Sequence, residues 1–334
     1  MYKRQKGIAL VVDKERRLVG TVTDGDIRRA VLAGVDLSSP VAELLKRKAV
    51  SSYPRPITAP AGTSPVDLLR LMRQHSIRHI PLLDEDGRVV SLITLEDLLP
   101  ENTLPVKAVI MAGGYGKRLR PLTDEIPKPM LPVGGRPIME WIIEGLREVG
   151  ICHIIVTTHY KAESITQYFG NGQRFGVQIE YIHEEQPLGT AGALSLLRPW
   201  RESLLVINGD ILTRVDFRAM FHYHQEYQAD MTVAVREYHV QVPYGIVEME
   251  NVKIRGLNEK PSFRFFVNAG IYLLEPVVRS HIARDKSFDM TDLIEQLLDA
   301  GRSVVGFPVR EYWIDVGQHA EYEQASEDMR KGRL

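Results

Sequence analysis

Residues 106–132 read VKAVIMAGGYGKRLRPLTDEIPKPMLP. An apolar run (Val106, Ala108, Val109, Ile110, Met111) ends in Ala112 and Gly113-Gly114-Tyr115-Gly116, followed by two bases, Lys117 and Arg118. A further base, Lys128, stands between Pro127 and Pro129. Glycines directly after a buried strand let the backbone approach a ligand and turn its N–H groups toward phosphate oxygens. The bases then neutralise phosphate charge. The spacing is not that of the two commonest phosphate loops. One needs GxxxxGK[ST]; the other needs GxGxxG and an acid about 20 residues later. Adjacent glycines, with Arg118 rather than Ser or Thr after Lys117, mean that phosphates are held in a third way.

Outward from this loop, apolar runs alternate with helical patterns. IMEWIIEGLREVG (138–150) is an amphipathic helix ending at a glycine, CHIIVTTHY (152–160) is a strand, and 161–169 is a helix. VQIEYIHEE is a strand, TAGALSLLRPW a helix and SLLVINGD a strand. Near-continuous apolar strands separated by helices indicate a parallel sheet covered on both faces. The fold class is therefore α/β, with a Rossmann-like, mostly parallel sheet. Ligands bind such sheets at the carboxyl ends of the strands, where both the glycine loop and Asp210 fall.

The chain has 334 residues, with 42 Lys and Arg against 43 Asp and Glu. That length accommodates two domains, each with its own core. No excess of base points to nucleic acid, and no apolar run reaches the roughly 18 residues of a membrane span. IALVV (8–12) is too short for a signal-peptide core and is cut by Asp13-Lys14-Glu15-Arg16-Arg17. The single cysteine, Cys152, cannot form an internal disulfide and reads as a small apolar residue. A reducing cytoplasm is the expected compartment.

The first hundred residues contain a degenerate repeat. ALVVDKERRLVGTVTDGDI (9–27) aligns without a gap on IPLLDEDGRVVSLITLEDL (80–98). A short strand, a charged turn, a second strand and a helix start recur in both. Thr23 meets Thr94 and Asp26 meets Asp97; the simplest reading of these four is helix capping. Before the second copy, SPVDLLRLM (64–72) reads as a helix with a Ser N-cap and Pro at its first position. The first copy has only MYKRQKG in that place. This implies that Met1 is not the natural start and that 1–5 are foreign sequence. PENTLP (100–105) reads as a linker. The expected organisation is a repeat pair over 1–100 with a truncated first copy, a linker at 101–105 and the α/β domain over 106–334.

GGYGKRLRPLTDEIPKPMLPVGGRPI resembles the signature of the sugar-1-phosphate nucleotidylyltransferases, GGxGTRLxPLTxxxPKPMLPV, with Lys117 where Thr is usual. The resemblance continues through LLVINGDIL, EEQPLGTAGAL (184–194), PYGIVE (243–248), NEKP (258–261), VNAGIYLL (267–274) and YWIDVG. It implies that Ala112, Gly113, Gly114, Gly116 and Lys117 wrap the nucleoside triphosphate, with Arg118 on its β- and γ-phosphates. It places Lys128 at the α-phosphate and Mg²⁺ on Asp210 and Asp315. Hard oxygen ligands suit that ion. Gln186, Gly189 and Thr190 fall in the base-reading segment. Tyr244, Gly245, Glu259, Lys260, Asn268 and Gly270 fall on the sugar-phosphate side. PLGTAG is typical of mannose-1-phosphate guanylyltransferases, so GTP is the favoured nucleotide, although uracil or thymine could also pair with Gln186.

The repeat pair resembles the tandem cystathionine-β-synthase (CBS) module. The resemblance implies an adenine nucleotide facing Thr23, Asp26, Thr94 and Asp97, in a regulatory role. The implied reaction is Mg²⁺-dependent transfer of a nucleotidyl group from an NTP to a sugar 1-phosphate, in a homo-oligomer without nucleic-acid or membrane partners. Two rival readings are a catalytically silent nucleotide sensor and a bifunctional acyl- or acetyltransferase. Intact Lys128, Asp210 and Asp315 oppose the first. The second needs a hexapeptide-repeat helix, which the sequence lacks. His222-Tyr223-His224 is set aside as a metal pair, because i and i+2 on a helix point to different faces; a solvated helix is expected there. Glu184-Glu185 as a glycosidase pair would leave the phosphate loop unexplained.

Overall fold

The computed structural model describes residues 7–36, 38–48, 54–98, 104–283 and 286–334. Two compact units result, Met1–Thr103 and Leu104–Leu334. Residues 1–6 and 101–103, and with them the expected foreign start and most of the expected linker, lie outside the described residues. Leu104 is buried with the second unit's core.

In the first unit, β1 (Ile8–Val12) and β2 (Leu18–Thr23) form a hairpin followed by α1 (Asp24–Leu32) and α2 (Val41–Lys48). Then come β3 (Ala59–Pro60), α3 (Pro65–Gln74), β4 (His79–Leu83), β5 (Val89–Thr94) and α4 (Leu95–Leu98). The sequence repeat is realised residue for residue. Ile8 pairs with Thr23 as His79 pairs with Thr94, and each hairpin carries a register shift before its turn. Ser64 caps α3 as its sequence predicts, accepting from the Asp67 N–H.

The second unit opens with β6 (Val106–Met111), β7 (Pro132–Val133), β8 (Arg136–Pro137), α5 (Ile138–Glu148), β9 (His153–Thr158), α6 (Ala162–Phe169) and β10 (Gln178–His183). It continues through α7 (Gly189–Gly192), β11 (Ser203–Asn208), β12 (Ile211–Thr213), α8 (Phe217–Glu226), β13 (Met231–Gln241), β14 (Ile246–Glu250) and β15 (Lys253–Asn258). It closes with β16 (Ser262–Leu274), α9 (Met290–Asp299), β17 (Val304–Val309), β18 (Trp313–Asp315) and α10 (His319–Arg330).

Seven strands form the main sheet in the order β10-β9-β6-β11-β16-β13-β17. Only β16 runs against the others, pairing antiparallel with both β11 and β13. Alternate residues feed two cores: Ala108 and Ile110 of β6 face one, and Val109 the other. Burial on both faces is why these strands read as apolar runs. The chain moves outward from β6 to β9 and β10, then crosses back to place β11 on the other side of β6. That reversal opens a crevice at the carboxyl ends of β6 and β11.

Two local expectations change. TAGALSLLRPW is not one helix: α7 is a single turn, followed by a 3-10 turn over Ala193–Leu196. Gly192 weakens the run, and Pro199 ends it. Nor is α8 solvated around His222-Tyr223-His224. Tyr223 and His224 are buried, because α8 packs this face on the sheet. His224 Nδ1 lies 2.7 Å from Thr232 Oγ1, and Nε2 lies 3.0 Å from Glu275 Oε1. Periodicity did not reveal this, because two histidines read as polar whether or not partners await them.

Candidate active site

The glycine loop leaves the end of β6 and turns at Gly116, whose φ of +64° is left-handed. A Cβ there would stand 2.8 Å from Thr123 Cγ2, so this position needs glycine twice over. Thr123 Oγ1 donates to the Gly116 carbonyl at 2.8 Å and braces the turn. Lys117–Leu119 form a 3-10 turn; Leu119 is buried and anchors it, leaving Lys117 exposed.

Asp210 follows β11 directly. The Gly209 N–H bonds the Met111 carbonyl at 2.9 Å, and a Cβ on Gly209 would meet that same oxygen at 2.8 Å. The Asn208-Gly209-Asp210 turn can thus press against the start of the glycine loop. Asp315 comes from the far end of the chain. β18 pairs antiparallel with β12, setting Asp315 opposite Ile211, and the Val316 N–H donates to the Asp210 carbonyl at 3.0 Å.

Lys128 meets both carboxylates. Its ammonium bonds Asp210 Oδ2 and lies 3.8 Å from Asp315 Oδ1. Burial pushes the Asp315 carboxyl above the usual carboxylate range, and the Asp210 charge adds to this; Lys128 and Arg118 pull the other way. The Arg118 guanidinium borders the same place, 3.7 Å from where a Cβ on Gly317 would stand. Asp210 Oδ1 and Asp315 Oδ1 are buried without a hydrogen-bond partner. Buried carboxylate oxygens without a hydrogen-bond partner, on two residues that meet at one ammonium, are donors a hard divalent cation prefers. The residues present therefore fit Mg²⁺, which Asp210 and Asp315 would hold. Among the described residues, no group of three or more His, Cys, Asp or Glu could hold a metal.

The base-reading candidates lie between β10 and β11. Gln186 is exposed, and Gly189 is left-handed at φ +79°. The Thr190 hydroxyl is engaged elsewhere. It accepts from the Met290 N–H at 2.9 Å and donates to Asp289 Oδ1 at 3.3 Å, tying the segment to the start of α9. On the sugar side, Tyr244, Glu259, Lys260 and Asn268 are exposed, and Glu259 Oε2 lies 2.7 Å from where a Cβ on Gly245 would stand. Asn268 Oδ1 accepts from the buried Gly270 N–H at 3.0 Å.

Three residues absent from the sequence-derived set also reach the crevice. Asn208 has a buried, unpartnered Oδ1, and its Nδ2 faces Gly270. The buried Glu184 carboxylate accepts from the Leu188 N–H at 3.1 Å and lies against Gly113. His159 Nδ1 is 2.7 Å from the Glu184 carbonyl, and its Nε2 is 2.9 Å from the Tyr115 hydroxyl. A ring nitrogen facing a carbonyl must donate, so in the neutral ring Nε2 accepts from the Tyr115 hydroxyl and fixes Tyr115 in the glycine loop. The usable signal was position: His159 directly follows β9, at the same end of the sheet.

In the N-terminal unit both Thr/Asp pairs form capping boxes. Asp26 Oδ2 accepts from the Thr23 N–H at 2.8 Å, and Asp97 Oδ2 from the Thr94 N–H at 2.9 Å. Asp26 also binds the Lys48 ammonium at 2.7 Å. Burial raises the Asp26 carboxyl, but Lys48 and the Thr23 N–H outweigh it and hold the group below its ordinary value.

The nucleotidyl transferase family model matches residues 107–332, and the CBS domain model matches 1–33 and 41–101. The chain is 34% identical over 241 residues to a UTP–glucose-1-phosphate uridylyltransferase of Synechocystis, covering 66% of this chain and 62% of the relative. It thus spans less than two thirds of that relative's length. It is 33% identical over 229 residues to the D-glycero-α-D-manno-heptose 1-phosphate guanylyltransferase of Aneurinibacillus thermoaerophilus, covering 67% of this chain and 98% of the relative. Among solved structures, HddC from Yersinia pseudotuberculosis complexed with GMP-PN superposes with a TM-score of 0.52 at 25% identity, covering 68% of this chain and all of that one. A glycine loop after β6, Lys128 between two aspartates, and a family match across nearly the whole second unit have one meaning: the chain belongs to the sugar-1-phosphate nucleotidylyltransferase family, in a form that carries CBS sequence ahead of the transferase domain.

Proposed function

We propose that this protein transfers a nucleotidyl group from an NTP, GTP by preference, to a sugar 1-phosphate, giving an NDP-sugar and pyrophosphate. The observation that carries the reading is the meeting of Lys128, Asp210 and Asp315 beside Arg118, at the carboxyl ends of two adjacent strands. The nucleophile is already an anionic phosphate oxygen, so no general base is required. It attacks the α-phosphorus, the bond to the β-phosphate oxygen breaks, and pyrophosphate leaves with both electrons. The protein's task is alignment and charge compensation.

Backbone N–H groups of residues 113–116, with Lys117 and Arg118, hold the β- and γ-phosphates; the Ala112 N–H is donated to the Thr157 carbonyl at 3.0 Å and positions the loop instead. Lys128 stabilises charge growing at the α-phosphate. Asp210 and Asp315 hold Mg²⁺, which when bound supplies positive charge to the phosphates. Gln186 and the backbone at Gly189 read the base, while Thr190, whose N–H donates to Asp289 Oδ1 at 3.0 Å, fixes the segment in place. Tyr244, Gly245, Glu259, Lys260, Asn268 and Gly270 receive the sugar phosphate, Lys260 as a point charge on the phosphate. The CBS unit takes an adenine nucleotide at Thr23, Asp26, Thr94 and Asp97 and regulates turnover.

GTP is favoured by the guanylyltransferase named above, which matches over 98% of its length, and by the GMP-PN complex of HddC. The test is pyrophosphate release from GTP, UTP, dTTP and CTP at equal concentration against a panel of sugar 1-phosphates. GTP should lead. Preference for a pyrimidine nucleotide overturns the guanylyl reading alone; no release from any pair overturns the transferase reading.

A further inference from the structure

The glycine loop and the segment 184–190 grip the two ends of an NTP bound as proposed above, and they come from different parts of the chain. The turn that follows β9 lies against both. Three consecutive residues of that turn hold the loop. The Tyr115 hydroxyl lies 2.9 Å from His159 Nε2. The Tyr160 hydroxyl donates to the Thr123 carbonyl at 3.3 Å, and the Lys161 ammonium bonds the Asp124 carbonyl. Thr123 in turn braces Gly116, so the loop is pinned at 115 and again at 123–124.

His159 also reaches the base side. Its Nδ1 donates to the Glu184 carbonyl at 2.7 Å, and the Glu184 N–H donates to the Thr158 carbonyl at 2.8 Å. The buried Glu184 carboxylate accepts from the Leu188 N–H, directly before left-handed Gly189. The loop itself closes the circuit. A Cβ on Gly113 would stand 2.7 Å from Glu184 Oε1 and 3.4 Å from His159 Cβ, so glycine is what lets the two segments touch there. The Tyr115 ring meets the His159 ring edge-on, with centroids 5.4 Å apart, and leans on Tyr160 at 5.6 Å.

These contacts fix the separation and angle of two half-sites. A ligand that spans both binds well when they are already held at the spacing its covalent frame imposes. A ligand that fills only one of them gains nothing from that spacing. We infer that His159 is a positioning residue, which sets the glycine loop against the base-side segment through the Tyr115 hydroxyl on one ring nitrogen and the Glu184 carbonyl on the other. The inference rests on the nucleotidyl-transfer reading above.

The test compares a whole ligand with its halves. The NTP that the unaltered protein binds most tightly, the corresponding NMP and pyrophosphate are each titrated with Mg²⁺ by calorimetry. The proteins are the unaltered chain, Tyr115→Phe, His159→Phe and the double variant. Phenylalanine at 115 keeps the ring contacts and removes only the hydroxyl. NTP affinity should fall about 5-fold in Tyr115→Phe, the weight of one hydrogen bond, and about 10-fold in His159→Phe, which loses two. Affinities for NMP and for pyrophosphate should each change by less than about 2-fold, and so should the KM of the sugar 1-phosphate. In the His159→Phe background, Tyr115→Phe should weaken NTP no further, because the bond it removes is already gone. If His159→Phe does not fold, Tyr115→Phe carries the comparison alone. Variants that bind NTP as tightly as the unaltered chain, additive losses in the double variant, or a loss for pyrophosphate as large as that for NTP would each overturn the positioning role and leave the transferase reading standing. An unaltered protein that binds no NTP would overturn both.

Discussion

Lys128 Nζ lies 3.8 Å from Asp315 Oδ1 while it is bonded to Asp210, so one ammonium group is shared between two carboxylates. In this state the lysine stands where a cation is attracted. A divalent ion held by the same two carboxylates would compete with it. Lys128→Met should therefore bind Mn²⁺ more tightly than the unaltered protein when no nucleotide is present. It should also lose on the order of 100-fold in turnover, the scale of one missing charge-stabilising group. Spin-resonance titration of free Mn²⁺ reads the first effect; equal affinity in both proteins would refute the competition.

Asp210→Asn and Asp315→Asn should each lower turnover by at least about 100-fold while leaving the circular dichroism unchanged. The asparagine keeps the shape and removes one of two crowded like charges. Burial and the Asp210 charge both disfavour ionised Asp315, so Asp315→Asn should not lower the urea midpoint. A marked loss of stability in that variant would show that the carboxylate is structural.

Thr94 caps α4 through both its hydroxyl and its N–H, and its side chain is buried. Thr94→Ala should cost the N-terminal unit about 1 kcal/mol, and Thr94→Ser should restore most of it. Calorimetry that follows the two units separately checks this. An unchanged transition in Thr94→Ala would show that the cap contributes nothing.

His224 gives a pH dependence. Burial lowers its pKa from 6.5, outweighing the attraction of Glu275. The fold therefore prefers the neutral imidazole, while the unfolded chain takes up its proton at the ordinary pKa. This contribution to stability is fully present above about pH 6.5 and is lost as pH falls through the lower, folded value. The melting temperature should drop more steeply between pH 7 and pH 5 in the unaltered protein than in His224→Gln. The slope difference is bounded by about 1.4 kcal/mol per pH unit. Parallel slopes would sink the assignment.

Four strands of the main sheet, β6, β9, β10 and β11, were legible in the sequence, and burial on both faces is what makes β6 and β11 near-continuous apolar runs; β13, β16 and β17 were not read as strands. The 71-residue repeat was legible for a similar reason. Its strands, turns and caps recur at the same spacing, and the structure repeats even their register. The short α7 and the buried face of α8 were not legible, since each is decided by what packs against it. Thr190 illustrates the same limit. Its place in the segment that the family resemblance assigns to the base follows from sequence, but only the fold brings Asp289 and Met290 to its hydroxyl.

The sequence by itself determined the glycine loop, the first four strands of the main sheet and the identity of the charged groups. These follow from local chemistry: glycine's left-handed freedom at Gly116, the apolar run of β6, the bases after it. Tertiary structure alone decided that Lys128, Asp210 and Asp315 share one point. Between Asp210 and Asp315 lie about a hundred residues, and no local rule spans them. The antiparallel pairing of β12 with β18 does, because its ladder fixes Ile211 against Asp315 and so sets one carboxylate beside the other.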